Sequence, residues 1–173
     1  MVIGKPIFTV QQIQKRIKEL ALDITRDYRG KEILAVGILR GAFIFFADIV
    51  RNIGVPLEVD FLIASSYTKT ESTGKINIHA DLREDIKGKD VLLVEDIVDT
   101  GLTLKYIHDM LLSRKPASLK ICAFLDKRPR RRVEIKLDYI GFEVPDKYLV
   151  GYGLDYENKF RNLPYIAVFK KST

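Results

Sequence analysis

The chain has 173 residues, 47% apolar and 30% charged, with a formal net charge of +6. That is enough for one domain with its own core, and the balance is that of a globular protein, not a disordered or fibrous one. No apolar run approaches the ~18 residues of a membrane span. The start Met1-Val-Ile-Gly-Lys-Pro6 lacks the apolar stretch of a signal peptide. The lone Cys122 forms neither a disulfide framework nor a zinc site, so a cytosolic protein is expected. The positive charge points to an anionic partner or to a solvated basic surface, and by itself does not choose.

Thr9-Val-Gln-Gln12 reads as a capping box, after which Ile13, Ile17, Leu20, Ala21, Ile24 and Tyr28 share one helical face as far as Gly30. Ile33 to Leu39 is a continuous apolar strand of the kind found in sheets covered on both faces. Arg40-Gly41 is a turn. Ala42 to Asn52 reads as a buried helix with Phe43, Phe45 and Phe46 in the core, and Leu57 to Ser65 as a second strand. Ser66 to His79 is polar and lacks apolar periodicity; it reads as a long loop, with room for a short hairpin at its end, and loops of that length are usually lids or disordered. Leu104 to Leu112 is the next helix. Leu119 to Leu125 and Tyr139 to Val144 are further strands, and Tyr148 to Phe169 is aromatic and turn-rich. Strands alternating with helices predict an α/β fold with a largely parallel sheet, whose ligand lies outside the carboxyl ends of the strands. Arg40-Gly41, Ser66-Tyr67, Glu95-Asp96 and Lys127 would meet at that edge.

The segment Val91 to Leu104 carries the chemistry. Four apolar residues lead into Glu95 and Asp96. Ile97 and Val98 follow, then Asp99, then the turn Thr100-Gly101-Leu102-Thr103 at the start of a helix. A helix N-terminus offers unpaired N–H groups and partial positive charge to a phosphate. Paired carboxylates suit Mg²⁺ or a polyhydroxyl such as ribose. Neither Gly-x-x-x-x-Gly-Lys-Ser/Thr nor Gly-x-Gly-x-x-Gly occurs. The plain alternative is a strand ending in a polar turn with Asp99 as an ordinary N-cap.

The ordered string resembles the signature of the phosphoribosyltransferases, which use phosphoribosyl pyrophosphate (PRPP), in the form of their 6-oxopurine branch. The likeness to hypoxanthine-guanine phosphoribosyltransferases extends over nearly the whole chain. It implies a type I phosphoribosyltransferase fold: one domain over 1–173 with a core at about 30–145, a lid at about 66–79, and a small hood from the N-terminal segment and about 146–173. The mostly parallel twisted sheet would be flanked by helices. Leu39-Arg40-Gly41 resembles the pyrophosphate loop, which in the family usually carries a cis peptide before the basic residue; Arg40 stands where Lys is common. Ser66-Tyr67 resembles the start of the lid, and Phe142 to Tyr156 the base-binding segment.

By resemblance Glu95 and Asp96 hold the ribose hydroxyls near Mg²⁺, while Ile97, Val98, Asp99, Thr100, Gly101, Leu102 and Thr103 surround the 5′-phosphate. Leu102 contributes its backbone only. Asp99 is the candidate base for the purine N7 proton. Lys127 donates to the 6-oxo group, Tyr148 stacks on the purine, and the Leu149 backbone accepts from the base edge. Asp155 helps hold a second Mg²⁺, and Arg161 reaches the pyrophosphate. The implied activity is purine salvage: PRPP with hypoxanthine or guanine gives the nucleoside monophosphate and pyrophosphate. Homodimers or homotetramers are implied, with no membrane and no nucleic-acid partner.

Two competing classes stay open. Lys127-Arg-Pro-Arg-Arg-Arg132 would suit a nucleotide-sensing RNA-binding regulator, although no aromatic residues interleave these arginines. A phosphoribosyltransferase for another base is the other. His79 and His108 read as ordinary surface residues.

Overall fold

The computed structural model describes residues 2–66 and 76–170. In chain order the elements are β1 (Val2–Phe8), α1 (Val10–Asp27), β2 (Ile33–Leu39), α2 (Phe43–Val50), β3 (Leu57–Ser66) and β4 (Ile76–Ala80). Then come β5 (Asp90–Val98), α3 (Leu102–Leu112), β6 (Ser118–Asp126), β7 (Tyr139–Glu143), β8 (Leu149–Val150) and β9 (Ile166–Lys170).

Thr9 fixes where α1 begins. Its N–H donates to Gln12 Oε1 (2.8 Å) and its hydroxyl accepts the Gln12 N–H (3.3 Å), so two groups at the helix end satisfy each other. The predicted face of α1 is the buried one: Ile13, Ile17, Leu20, Ala21 and Ile24, with Tyr28 behind them. Six strands form the main sheet in the order β4-β3-β2-β5-β6-β7. β3, β2, β5, β6 and β7 run parallel, and β4 pairs antiparallel with β3. Side chains alternate across the sheet, so the apolar runs feed two cores. Ile33, Ala35, Leu92, Val94, Cys122 and Phe124 pack with α1 and α2. Leu34, Val36, Leu93 and Ile121 pack with Leu104, Ile107 and Leu111 of α3.

The two chain ends build a second sheet of order β1-β9-β8. The segment that follows β8 is tied to the helices through Asp48 of α2, which accepts from the Tyr152 hydroxyl and from Gln14 of α1 (3.2 Å).

Several expectations are corrected. The end of the stretch that reads as a loop, Ile76–Ala80, is a strand paired antiparallel with β3, where the sequence leaves room for a hairpin; residues 67–75, Tyr67 among them, lie outside the described residues. β5 does not stop at the carboxylates. Ile97 and Val98 keep pairing with Leu125 and Asp126 of β6, so Glu95 and Asp96 sit within the strand's last turn of the ladder. α3 starts at Leu102, and its N-cap is Gly101 with φ +82°, not Asp99. Phe43 is 44% exposed at the first turn of α2, while Phe45 and Phe46 are in the core.

Candidate active site

Because β2, β3, β5 and β6 are parallel neighbours, their carboxyl ends share one edge. That edge gathers Arg40-Gly41, Glu95-Asp96, the Asp99 loop and Lys127. The Leu39–Arg40 peptide is cis. Gly41 lies against the Asp96 carboxylate, so a Cβ there would overlap Asp96 Oδ2. From the other side Gly153, at φ +100°, presses on the Gly41 carbonyl, and its own Cβ would overlap that oxygen. The turn after β2 is thus held between a carboxylate of the central strand and the backbone of the C-terminal segment.

Glu95 is buried and Asp96 partly so. Glu95 Oε1 accepts the Asp96 N–H (2.9 Å), and Asp96 Oδ1 accepts the Ile97 N–H (2.7 Å). Burial, and then the adjacent Asp96 charge, pushes the Glu95 carboxyl well above the usual carboxylate range. Asp96 is also raised by burial, while the Glu95 side chain, the Ile97 N–H and the Arg161 charge pull it back. Two carboxylates this close in a poorly hydrated place disfavour each other's charged form, Glu95 the more strongly. A cation at this edge would favour the charged forms of both.

The loop after β5 presents backbone. Among the described residues, nothing accepts the N–H groups of Thr100, Gly101 or Thr103, and the Leu102 N–H reaches only Thr100 Oγ1 at 3.4 Å. The loop is braced from behind: the Thr100 carbonyl accepts the Arg132 N–H (2.9 Å), and Val133 packs over Gly101. Free N–H groups at the start of α3 can receive an anion without any basic side chain.

Lys127 follows β6, and its N–H donates to the Val98 carbonyl (3.0 Å). Its side chain is 10% exposed, and Nζ lies 3.9 Å from Asp99 Oδ2. The other charges of the basic run are largely neutralised in place. Arg128 lies 3.3 Å from Glu143 Oε1 and 3.5 Å from Asp126 Oδ2. Arg131 donates to buried Asp126 (2.8 Å), and Arg130 lies 3.0 Å from Asp99 Oδ1.

Tyr148 is 53% exposed; its hydroxyl donates to the Asp155 carbonyl (3.1 Å), and Tyr156 and Phe169 stand edge-on to its ring. Leu149 is buried in β8. Asp155 accepts the Asn158 N–H (2.7 Å) and pairs with Arg161 (2.7 Å). Arg161 also donates to the Gly153 carbonyl (2.6 Å), fastening the segment that presses on Gly41. A cleft of about 510 Å³ runs between Asp96, Asp99 and Lys127 on one wall and Tyr148, Leu149 and Asp155 on the other. A smaller recess of about 380 Å³ holds Arg40, Phe43, Asn158 and Arg161. Ser66 ends β3.

Among the described residues, no three His, Cys, Asp or Glu side chains form a set that could hold a metal alone. Asp155 is engaged by Arg161 and does not join Glu95 and Asp96. The pair still fits a hard cation that takes one or two protein carboxylates and the rest of its oxygens from substrate and water, the usual habit of Mg²⁺.

Several residues of the site were not singled out in the sequence, among them Phe43, Arg130, Asp146, Gly153 and Asn158. Gly153 had a signal, since Gly151-Tyr-Gly153 breaks the β8 pattern with two glycines. Arg130 and Asp146 had none, because their pairing joins segments far apart in sequence.

A family model for the phosphoribosyl transferase domain matches residues 5–157. The match spans most of the chain, and the chain belongs to that family. Similar chains within the family include hypoxanthine-guanine phosphoribosyltransferases. The chain is 46% identical over 169 residues to the hypoxanthine-guanine phosphoribosyltransferase of Bacillus subtilis, covering 97% of this chain and 94% of that one. It is 54% identical over 162 residues to that of Aquifex aeolicus, covering 92% and 91%. A crystal structure of a hypoxanthine-guanine phosphoribosyltransferase from Bacillus anthracis matches with a TM-score of 0.93 at 45% identity, covering 98% and 100%.

Proposed function

We propose that this enzyme transfers the 5-phosphoribosyl group of PRPP to hypoxanthine and guanine, forming the nucleoside 5′-monophosphate and pyrophosphate. One observation carries the choice of base. Asp99 Oδ2 and Lys127 Nζ stand 3.9 Å apart on one wall of the cleft, an acceptor beside a donor. A 6-oxopurine with its proton on N7 offers the complement along one edge, a donor at N7 and an acceptor at O6. Adenine would oppose its 6-amino donor to the Lys127 cation. Tyr148 supplies a ring face for the purine, and the Leu149 backbone reads the far edge.

In the transfer the N9 lone pair forms the bond to C1 of the ribose while the C1–O bond breaks and its electron pair leaves with pyrophosphate. The N7 proton passes to Asp99. Lys127 steadies the 6-oxo group, and the positive charge that develops on the ribose ring faces the carboxylates of Glu95 and Asp96. The N–H groups of Thr100, Gly101, Leu102 and Thr103 take the 5′-phosphate, with Ile97, Val98 and Asp99 shaping the loop. The backbone of Arg40 and Gly41 takes the diphosphate, with Arg161 nearby. Glu95 and Asp96 would hold Mg²⁺ at the ribose, and Asp155, once released by Arg161, a second Mg²⁺. Bound there, Mg²⁺ would supply positive charge to the leaving pyrophosphate. The small sheet of β1, β9 and β8 is read as the hood, and Ser66-Tyr67 as the start of a lid. Exposed Val59 and Phe61 on β3 favour burial against a second copy, in a homodimer or homotetramer. No described helix is long and apolar enough to cross a membrane.

The test is nucleotide formation from PRPP and Mg²⁺ with hypoxanthine, guanine, xanthine and adenine in turn. IMP and GMP are expected. AMP formed as readily as IMP, or no nucleotide from any base, would overturn the reading.

A further inference from the structure

Among the arginines of the basic run, none of which has a task in the transfer described above, Arg130 is the one that pairs with Asp99. It ends the single 3-10 turn Arg128–Arg130 that follows Lys127. Its Nε lies 3.0 Å from Asp99 Oδ1, and its Nη1 lies 3.7 Å from Asp146 Oδ1. Asp99 belongs to the loop after β5, and Asp146 to the segment between β7 and β8. One guanidinium therefore spans the two walls of the cleft.

An exposed ion pair would ordinarily contribute little. Here the division of the Asp99 oxygens matters more than the strength of the pair. The Asp99 side chain is 44% exposed, yet its Oδ1 is buried, so its exposure lies away from the oxygen that Arg130 covers. Oδ1 receives no well-aligned hydrogen bond, so Arg130 acts on it as a charge more than as a directed donor. Oδ2 is left as the oxygen next to Lys127. Without Arg130 the carboxylate is free to rotate about χ2, a broad torsion with no staggered wells to hold it.

We infer that Arg130 is a positioning residue for the transfer: it holds Asp99 Oδ1 so that Oδ2 faces the purine N7 beside Lys127, and Asp146 holds the guanidinium in place. This rests on the reading of Asp99 as proton acceptor. A proton transfer needs its acceptor within hydrogen-bond reach of the proton, so a rotated carboxylate slows the step without weakening PRPP binding.

The experiment is a double-mutant cycle read by steady-state kinetics with hypoxanthine and PRPP, on wild type, Asp99→Asn, Arg130→Ala and the pair, with Arg130→Lys as a conservative variant. Arg130→Ala should lower kcat roughly tenfold, a coupling of ordinary size for neighbouring charged groups, and leave the KM for PRPP unchanged. Arg130→Lys should recover part of the loss, because it keeps the charge but not the fork that spans two carboxylates. In the Asp99→Asn background, Arg130→Ala should cost nothing further. An equal loss in both backgrounds, a loss confined to KM, or an unaffected kcat in Arg130→Ala would overturn the role of Arg130. A wild-type kcat in Asp99→Asn would instead remove Asp99 as acceptor, so the two failures are distinguishable.

Discussion

At Gly41 a missing side chain decides the geometry. A methyl group there would overlap the Asp96 carboxylate on one side of a turn already pressed by Gly153 on the other. Gly41→Ala should therefore lower kcat/KM for PRPP by at least about 10²-fold, the usual cost of misplacing reacting groups by about an ångström. Its melting temperature should stay near that of wild type, because the clash lies at the cleft and not in either core. Kinetics with varied PRPP, beside a thermal melt, would check this; near-normal kinetics would show that the loop has room to give. Asp99→Asn removes the proton acceptor but keeps the side-chain volume. It should lower kcat by roughly 10²–10⁴ while PRPP binding, measured by calorimetry, is retained through the loop N–H groups. Most single residues of the site were legible because their order along Val91 to Leu104 is itself the signal. Arg130 was not, since a charge run looks the same in sequence whether it is solvated or neutralised by Asp99, Asp146 and Asp126.

Among the elements, those with a period were read well and those without one were missed. α1 announced itself by its capping box and its apolar face, and β2, β5 and β6 by continuous apolar runs. β1, β8 and β9 are short and carry no clean alternation; their pairing joins the first residues to the last, information that no local window contains. β4 falls in the stretch that reads as a long loop with room for a hairpin; it is a five-residue edge strand whose Asn77, His79 and Ala80 are exposed, too short for its two isoleucines to set a period. The docking of α1 onto the sheet edge gives a test of its own. Asp27 at the end of α1 accepts from the Tyr139 hydroxyl (2.7 Å) and from Lys120 Nζ (3.0 Å). The Tyr139 hydrogen bond, then the Lys120 one, holds its carboxyl below the ordinary value of 3.8. A carboxyl depressed on folding stabilises the fold above its unfolded pKa, and that contribution fades as pH falls through the lower folded value. Asp27→Asn should thus melt below wild type at neutral pH, and the gap should narrow from about pH 4 downward. Melting curves over a pH series would show it; a gap independent of pH would assign the loss to packing alone.

Across the whole molecule, the parallel sheet converts sequence separation into proximity. Residues near positions 96, 127 and 155 reach one cleft, and Arg40 lines a second recess with Arg161, because the strand ends and the C-terminal segment meet at this edge. The central position of β5 makes its integrity a measure of the whole fold, and Cys122 on neighbouring β6 reports it. This thiol is fully buried, and burial pushes it up to about 12. Alkylation at neutral pH should be negligible in the native state and should track global opening. Rapid native labelling, followed by mass spectrometry, would mean that the core opens locally around β6.

The central claim is that the Asp99–Lys127 pair reads the 6-oxopurine edge. Its most direct test is the ratio of kcat/KM for hypoxanthine over adenine, in wild type and in Lys127→Ala. A buried donor left unpaired by the wrong base supports discrimination of about 10⁴, so the wild-type ratio should be of that order. Lys127→Ala should lose most activity on hypoxanthine and bring the ratio down by orders of magnitude. A wild type that uses adenine efficiently, or a ratio that does not move in Lys127→Ala, would contradict the account.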